Sequence, residues 1–288
     1  MQTLLTYYRL VKPGIIYGNS LNLLAGFLLA SGIVGRFYFW RLIAVGLGSA
    51  CVIGSGCVYN NYIDRDIDTK MARTKKRAFA THSIPVGAGL TFGTVLLAAG
   101  FGFLALWTNW LTVLVGAVGF FFYVVMYSFF KRTSIHGTLV GSVSGAIPPV
   151  AGYTAVTNHF DGAAWILFMI LVTWQMPHFY AIAMYRLKDY ANAGLPVWPV
   201  KKGMHSTKVQ ITIWVALFTL AAVCMTLKGY TGNIYLIGAL ILGVVWFRKA
   251  LKGFRAKDDV KWARGMFFFS LIVTLGIDAL LAVGALLP

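Results

Sequence analysis

The chain has 288 residues, 59 % of them hydrophobic and 11 % charged, and its mean hydropathy is +0.75. A soluble globular domain has about a quarter of its residues charged, so this composition excludes one and indicates an integral membrane protein. With 25 Lys and Arg against 8 acids, all Asp, the net charge is +17. Nucleic-acid binding would follow only if the positions of the cations allowed it.

Nine apolar stretches follow in chain order, near 14–32, 41–62, 86–106, 110–130, 138–156, 163–186, 208–227, 232–248 and 265–287. Most are about 17–24 residues long, enough to cross a hydrocarbon core of roughly 30 Å at about 1.5 Å per residue. The first resembles a signal segment only in Ala30-Ser31-Gly32. Its length and its Asn19 and Asn22 read as an uncleaved helix. The third and fourth are joined by Trp107-Thr108-Asn109-Trp110, a tight hairpin with aromatic residues at the interface. Gly46, Gly48, Gly54, Gly56, Gly141 and Gly145 fall within spans and are expected to let helices approach closely. Cys51, Cys57 and Cys224 also lie in spans. The first two are separated by about 9 Å of helical rise, too far to bridge, and all three read as small apolar fillers. No soluble domain or linker interrupts the series, so residues 1–288 form one membrane domain.

Lys and Arg are distributed unequally between the two sides. The amino-terminal segment and the connections at 63–85, 131–137, 186–208 and 248–264 carry 22 of them, and the alternate connections carry only Arg36, Arg41 and Lys228. The positive-inside rule places the amino terminus and the basic loops in the cytoplasm and Pro288 outside. The net charge therefore reports topology, with anionic lipid headgroups as the partner of the 248–264 loop, and nucleic acid is excluded. The simplest address is a bacterial inner membrane.

Two polar constellations interrupt this pattern. Asn60, Asp64 and Asp68 stand at i, i+4 and i+8 at the end of the second stretch. A continuing helix would align them on one face with a drift of about 40° per step, leaving Asp66 on the opposite face as a solvated acid. Arg73, Lys75, Lys76 and Arg77 follow. Carboxylates next to cations suit a diphosphate bridged by Mg²⁺, which takes one or two carboxylates together with substrate oxygens. The second constellation, Tyr185, Lys188, Asp189 and Asn192, has the spacing of one helical face at the end of the sixth stretch. Four spans separate it from the first, an even number, so both lie on the cytoplasmic side and can meet over one cavity. Either motif alone could be a solvated helix end with ion pairs. Two at the same membrane level are hard to explain that way.

These residues carry a family resemblance. N-x-x-x-D-x-x-x-D at Asn60 to Asp68, M-x-R-T-x-x-R at Met71 to Arg77 and Y-x-x-K-D at Tyr185 to Asp189 resemble the two aspartate-rich motifs of UbiA-type intramembrane prenyltransferases. K-P-G-I-I-x-G-N from Lys12, K-R-T from Lys131, G-A-I-P-P from Gly145, W-Q-M-P-H-F from Trp174 and D-Y-x-x-A-G-x-P from Asp189 narrow the resemblance to the branch that farnesylates protohaem. Asn61, Ala78 and Asn192 depart from the superfamily pattern, and two fewer carboxylates thin the ligand set of a second metal ion.

The resemblance implies an all-α fold of nine transmembrane helices, two four-helix halves and one more, around a central cavity open to the cytoplasm. It implies farnesyl diphosphate and haem b as substrates, with water added to give haem O and diphosphate, and a hand-over of product to haem-copper oxidase assembly. Asn60, Asp64, Asp68 and Asp189 would hold Mg²⁺, two ions in all. Arg73, Arg77, Lys131, Arg132, Lys188 and Tyr185 would hold the diphosphate, with Asp64, Asp68, Asp189 and Lys188 as the catalytic set. An imidazole deep in a span needs a partner, so His178 is expected to face haem, with His82 as a second haem contact near the rim. Two other readings share parts of this pattern. A prenyltransferase acting on an aromatic quinone precursor would have the same metal motifs, and an ion-coupled transporter would carry its acids near the midplane. Asp278, inside the ninth stretch, is expected to be functional or paired.

Overall fold

The computed structural model describes residues 2–284, with side chains from residue 4. Pro288, expected outside, lies beyond them. Among the described residues there is no strand, and nine helices are long and apolar enough to span a membrane. They are α1 (Pro13–Val34), α2 (Phe39–Ile63), α3 (Val86–Trp107), α4 (Trp110–Thr133), α5 (Gly137–Thr157), α6 (Gly162–Tyr185), α7 (Trp198–Leu227), α8 (Asn233–Arg255) and α9 (Asp259–Gly284). The protein is a multi-pass membrane protein. Helix α7 begins ten residues before the apolar stretch that announces it and is interrupted at Gly203, whose φ of 79° breaks the helical path. The 232–248 stretch continues to Arg255.

Local chemistry fixes the ends. Pro13 opens α1, where its missing N–H costs nothing, and Gly35 closes it in the left-handed region. Asn109 caps α4 by accepting from the Thr112 N–H, and Asp161 caps α6 by accepting from those of Ala163 and Ala164. Asn158 ends α5 at φ 55°.

The spans pack in order around a ring, and α9 returns to lie against α1, α6 and α8, so the ninth span closes the bundle. Helices α5 and α6 form the centre, with 61 % and 67 % of their spanning windows buried, whereas α3 and α4 have 22 % and 17 % and turn most of their surface to lipid. The crossing of α1 and α5 depends on two glycines. A methyl group at Gly26 would sit 2.0 Å from the Pro149 carbonyl oxygen, and one at Gly152 would sit 2.1 Å from that of Leu23. Backbone meets backbone there, which is how small residues replace a hydrophobic driving force between membrane helices. Of the glycines expected to pack, Gly48, Gly56, Gly141 and Gly145 face close neighbours, while Gly46 faces open space.

Candidate active site

The first constellation is built at the end of α2. Asp64 takes φ −89° and ψ 1° and ends the helix at Ile63, and a short helix, Arg65–Asp68, follows. The continuous helix expected from the spacing is thus broken. The i, i+4 register survives the break because the Asp68 N–H still bonds to the Asp64 carbonyl at 2.8 Å. Asn60, Asp64 and Asp68 are all buried and line one cavity of about 670 Å³.

Cations meet each of them. Lys131 pairs with Asp64, Arg77 donates to both oxygens of Asp68 at 2.9 Å, and Lys12 donates to Asn60 Oδ1 at 2.8 Å. Arg73 also lines the cavity and forms no hydrogen bond or ion pair among the described residues. Asp64 Oδ1 and Asn60 Nδ2 are buried without a hydrogen-bond partner. A buried carboxylate oxygen without a hydrogen bond keeps unused acceptor capacity, and the nearest cation to Asp64 Oδ1 is Arg132 at 3.6 Å.

Lys12 belongs to this site although the aspartate-rich motifs do not include it. Its signal in the sequence is a cation immediately before the proline that opens the first span. The backbone holds it at φ 52°, ψ 68°, in the left-handed region that a lysine seldom adopts. Burial, with repulsion from Arg77 adding to it, lowers its pKa from 10.5 to about 8.

Arg132, expected on the diphosphate, is held elsewhere. Its guanidinium grips both oxygens of Asp66 at 2.9 and 2.8 Å and donates to the Ile63 carbonyl at 2.6 Å. It approaches Asp64 Oδ1 only at 3.6 Å. It does not line the cavity but clamps the end of α4 to the break after α2. Asp66, read as a solvated acid, is 60 % exposed yet is the other half of this clamp. Hydrogen bonds from Arg132 hold its pKa down to about 2.

The second constellation is divided. Arg186 leaves helical geometry at φ −107°, ψ 20°, so α6 ends at Tyr185, and Leu187–Asn192 forms a separate short helix. Tyr185, Arg186 and Tyr190 line the cavity, Lys188 is exposed, and Asp189 lies off the cavity wall, 3.8 Å from Arg186. The break at Arg186 interrupts the continuous helical face expected of Tyr185, Lys188, Asp189 and Asn192. The loops that carry the two motifs nevertheless meet, through an apolar cluster of Ile67, Met71 and Leu195 with Tyr190 packed on it.

Below the charged end the wall is aromatic. A π-helical segment of α4, Phe122–Tyr127, stacks Tyr123 on Tyr127 at 6.0 Å, and the Lys131 ammonium lies 5.1 Å from the Tyr127 ring centre. Trp174, His178, Phe179 and Phe267 line the cavity deeper down. Gln175 fills the space left by Gly145 and donates to the Ser142 carbonyl at 3.0 Å. His178 is seven residues from the end of α6, about 10 Å of rise, less than a helix continuing to Asp189 would give. His82 remains exposed at φ 54° in the loop before α3 and does not reach the cavity. Asp278 is buried on α9, away from the cavity.

A model of the UbiA prenyltransferase family matches residues 20–272. The chain belongs to the UbiA prenyltransferase family. Within it, the chain is 46 % identical over 284 residues to a protein of Sodalis glossinidius named protoheme IX farnesyltransferase, covering 98 % of this chain and 95 % of the relative. Identity is also 46 %, with the same coverage, to a protein of that name from Salmonella typhimurium. Among solved structures, a digeranylgeranylglyceryl phosphate synthase shares the fold at TM-score 0.81 and 18 % identity, over 99 % of both chains. A UbiA homologue from Archaeoglobus fulgidus bound to GPP and Mg²⁺ shares it at TM-score 0.68 and 15 % identity, over 94 % of this chain and 98 % of that one.

Among the described residues there is no group of three or more His, Cys, Asp or Glu able to hold a metal ion by themselves. Asn60, Asp64 and Asp68 instead form a partial set of hard oxygen ligands open to a cavity. This fits Mg²⁺, which keeps water and substrate phosphate in its coordination shell.

Proposed function

We propose that this UbiA family member transfers the farnesyl group of farnesyl diphosphate to a vinyl group of haem b, with addition of water, giving haem O and diphosphate. The observation that carries this reading is a single cavity joining a cation-and-carboxylate end to an aromatic chamber that contains His178. The chain's 46 % identity to proteins named protoheme IX farnesyltransferase selects the acceptor.

Asn60, Asp64 and Asp68 would hold Mg²⁺, which when bound would neutralise the diphosphate and make it a better leaving group. Lys12, Arg73, Arg77 and Lys131 take the remaining phosphate charge. Lys131 and Arg77, paired with Asp64 and Asp68, are placed to turn to phosphate oxygens. Tyr185 closes the rim. Fixed positive charge where the leaving group gains negative charge is the main catalytic contribution of such a site. Tyr123 and Tyr127 offer ring faces to the allylic cation as the C1–O bond breaks. The vinyl terminal carbon then bonds to C1. Water adds to the adjacent carbon and loses a proton, leaving a hydroxyethylfarnesyl substituent. The cavity mouth lies on the side that carries the basic loops, which the positive-inside rule makes cytoplasmic.

The test is to incubate the purified protein with haem b and farnesyl diphosphate, with and without Mg²⁺, and weigh the pigments. A product heavier by a farnesyl and a hydroxyl group, lost on chelation, is expected. Unchanged haem together with prenylation of an aromatic quinone precursor would overturn the acceptor.

A further inference from the structure

We propose that Ser270, on α9, is a positioning residue that fixes His178 in the tautomer whose free Nε2 ligates the iron of the haem acceptor. The inference rests on the farnesyl transfer proposed above and concerns how the acceptor is held. His178 Nδ1 lies 2.7 Å from Ser270 Oγ, and the same Oγ lies 2.6 Å from the Phe267 carbonyl oxygen. A serine hydroxyl has one hydrogen. Two oxygens at 2.6 Å without a proton between them would repel, so that hydrogen belongs to the Phe267 contact, where only Ser270 can donate. Toward His178, Oγ can then only accept, and Nδ1 must carry the imidazole proton. The other nitrogen, Nε2, is left with its lone pair free.

The surroundings give that lone pair one direction of use. Trp174 stacks on the ring at 4.8 Å and Phe267 lies at 4.9 Å, walls that supply no donor to Nε2. His178 lines the cavity, and its Nε2 makes no hydrogen bond among the described residues. A neutral imidazole held by a hydrogen bond at its distal nitrogen, with the other nitrogen facing a chamber, is the arrangement that proteins use to present a histidine to a metal. Coordination donates the Nε2 lone pair to iron, filling an open position or displacing a bound water, with no change in oxidation state. It would set the depth of the porphyrin below the diphosphate end.

Ser270 has a second tie to α6, because the Trp174 indole N–H donates to its backbone carbonyl at 2.7 Å. That bond survives Ser270→Ala, so the variant removes the hydroxyl and leaves the helix contact in place. The experiment titrates ferrous haem b and, separately, iron-free protoporphyrin IX into the detergent-solubilised full chain, and records the iron–imidazole band by resonance Raman. Wild type is expected to show the band. Ser270→Ala should weaken haem b binding about tenfold, at the lower end of effects on groups that orient a metal ligand, and shift the band. Ser270→Thr should restore both. Binding of iron-free porphyrin and of farnesyl diphosphate should be the same in wild type and Ser270→Ala. Equal loss of haem and iron-free porphyrin would make Ser270 a packing residue, and an unaltered band and affinity would remove its role. Haem O formation by a wild type without the band would overturn the iron ligand while leaving farnesyl transfer standing. A band without any product would overturn farnesyl transfer and keep the ligand.

Discussion

Lys12 is under opposite demands from its buried surroundings and from an anionic substrate. In the protein alone its ammonium is buried beside Arg77, and its pKa falls from 10.5 to about 8. A diphosphate entering the cavity would favour the ammonium and raise that value again. Binding therefore takes up a proton above about pH 8, and the apparent affinity for farnesyl diphosphate should fall by up to about tenfold per pH unit from there. Stability runs the other way. A lysine whose folded pKa is lowered costs folding free energy at all pH values below about 8, and the cost is relieved as pH rises toward 10.5. Lys12→Gln keeps a donor for Asn60 but removes the charge. Loss of one electrostatic stabiliser costs about 10²–10³ in turnover. Arg73, Arg77 and Lys131 share the same cavity, so the lower end, about 10²-fold, is expected. Lys12→Arg, which cannot deprotonate in this range, should bind with a flat pH profile. The assay is calorimetric titration of farnesyl diphosphate with Mg²⁺ from about pH 7 to about pH 11, spanning both pKa values of the lysine. A flat profile in the wild type, or unimpaired turnover in Lys12→Gln, would refute the reasoning.

Asp64→Asn removes a buried ligand and should lower turnover at least about 10²-fold, while Asp66→Asn loosens only the exposed clamp to Arg132 and should cost less than about 1 kcal/mol of stability with turnover nearly unchanged; steady-state kinetics and thermal unfolding check both. The depressed pKa of Asp66 adds stability that is present above its ordinary value of 3.8 and is lost as pH falls to about 2, so this acid-side loss should be absent from thermal melts of Asp66→Asn. In a background lacking Cys51, Cys57 and Cys224, cysteines replacing Lys75 and Lys202 should resist an impermeant label applied outside, and one replacing Lys228 should react. The reverse pattern would move the cavity mouth to the other face.

The membrane architecture was legible because hydrocarbon leaves the backbone few choices: runs long and apolar enough to span become helices. Boundaries were less legible where polar residues extend a helix past its apolar core, as at Trp198 and Arg255. Asn60, Asp64 and Asp68 could be read from their spacing because one short helix preserves the register across the break at Asp64. The break between Tyr185 and Lys188 was not legible, since nothing in Tyr185–Asn192 announces that Arg186 will leave helical geometry. Arg132 could not be distinguished from Lys131 by position. Adjacent residues on a helix point about 100° apart, and only the packed structure shows that Lys131 faces the cavity and Arg132 the outside. Lys12 was visible as a motif residue, but its contact with Asn60 joins positions 48 apart in the chain, a pairing that no local pattern encodes.

The charge arrangement also explains how carboxylates can be buried at a membrane edge. Removing one partner of a buried ion pair is costly because the other charge is left uncompensated. Here each buried carboxylate already has a cation, Lys131 on Asp64 and Arg77 on Asp68, so the carboxylates are matched without metal. Lys12 and Arg73 are then in excess, and the cavity end is net positive. A diphosphate bridged by one divalent ion is still net negative and meets that excess. On the function proposed above, Lys131 and Arg77 can turn from their carboxylates to phosphate oxygens as the diphosphate enters, so that neither cation is left without a partner. An uncharged isoprenoid alcohol gives no such exchange, and its chain alone would leave Lys131 and Arg77 on their aspartates. Discrimination for the diphosphate thus comes from the same pairs that compensate the buried carboxylates.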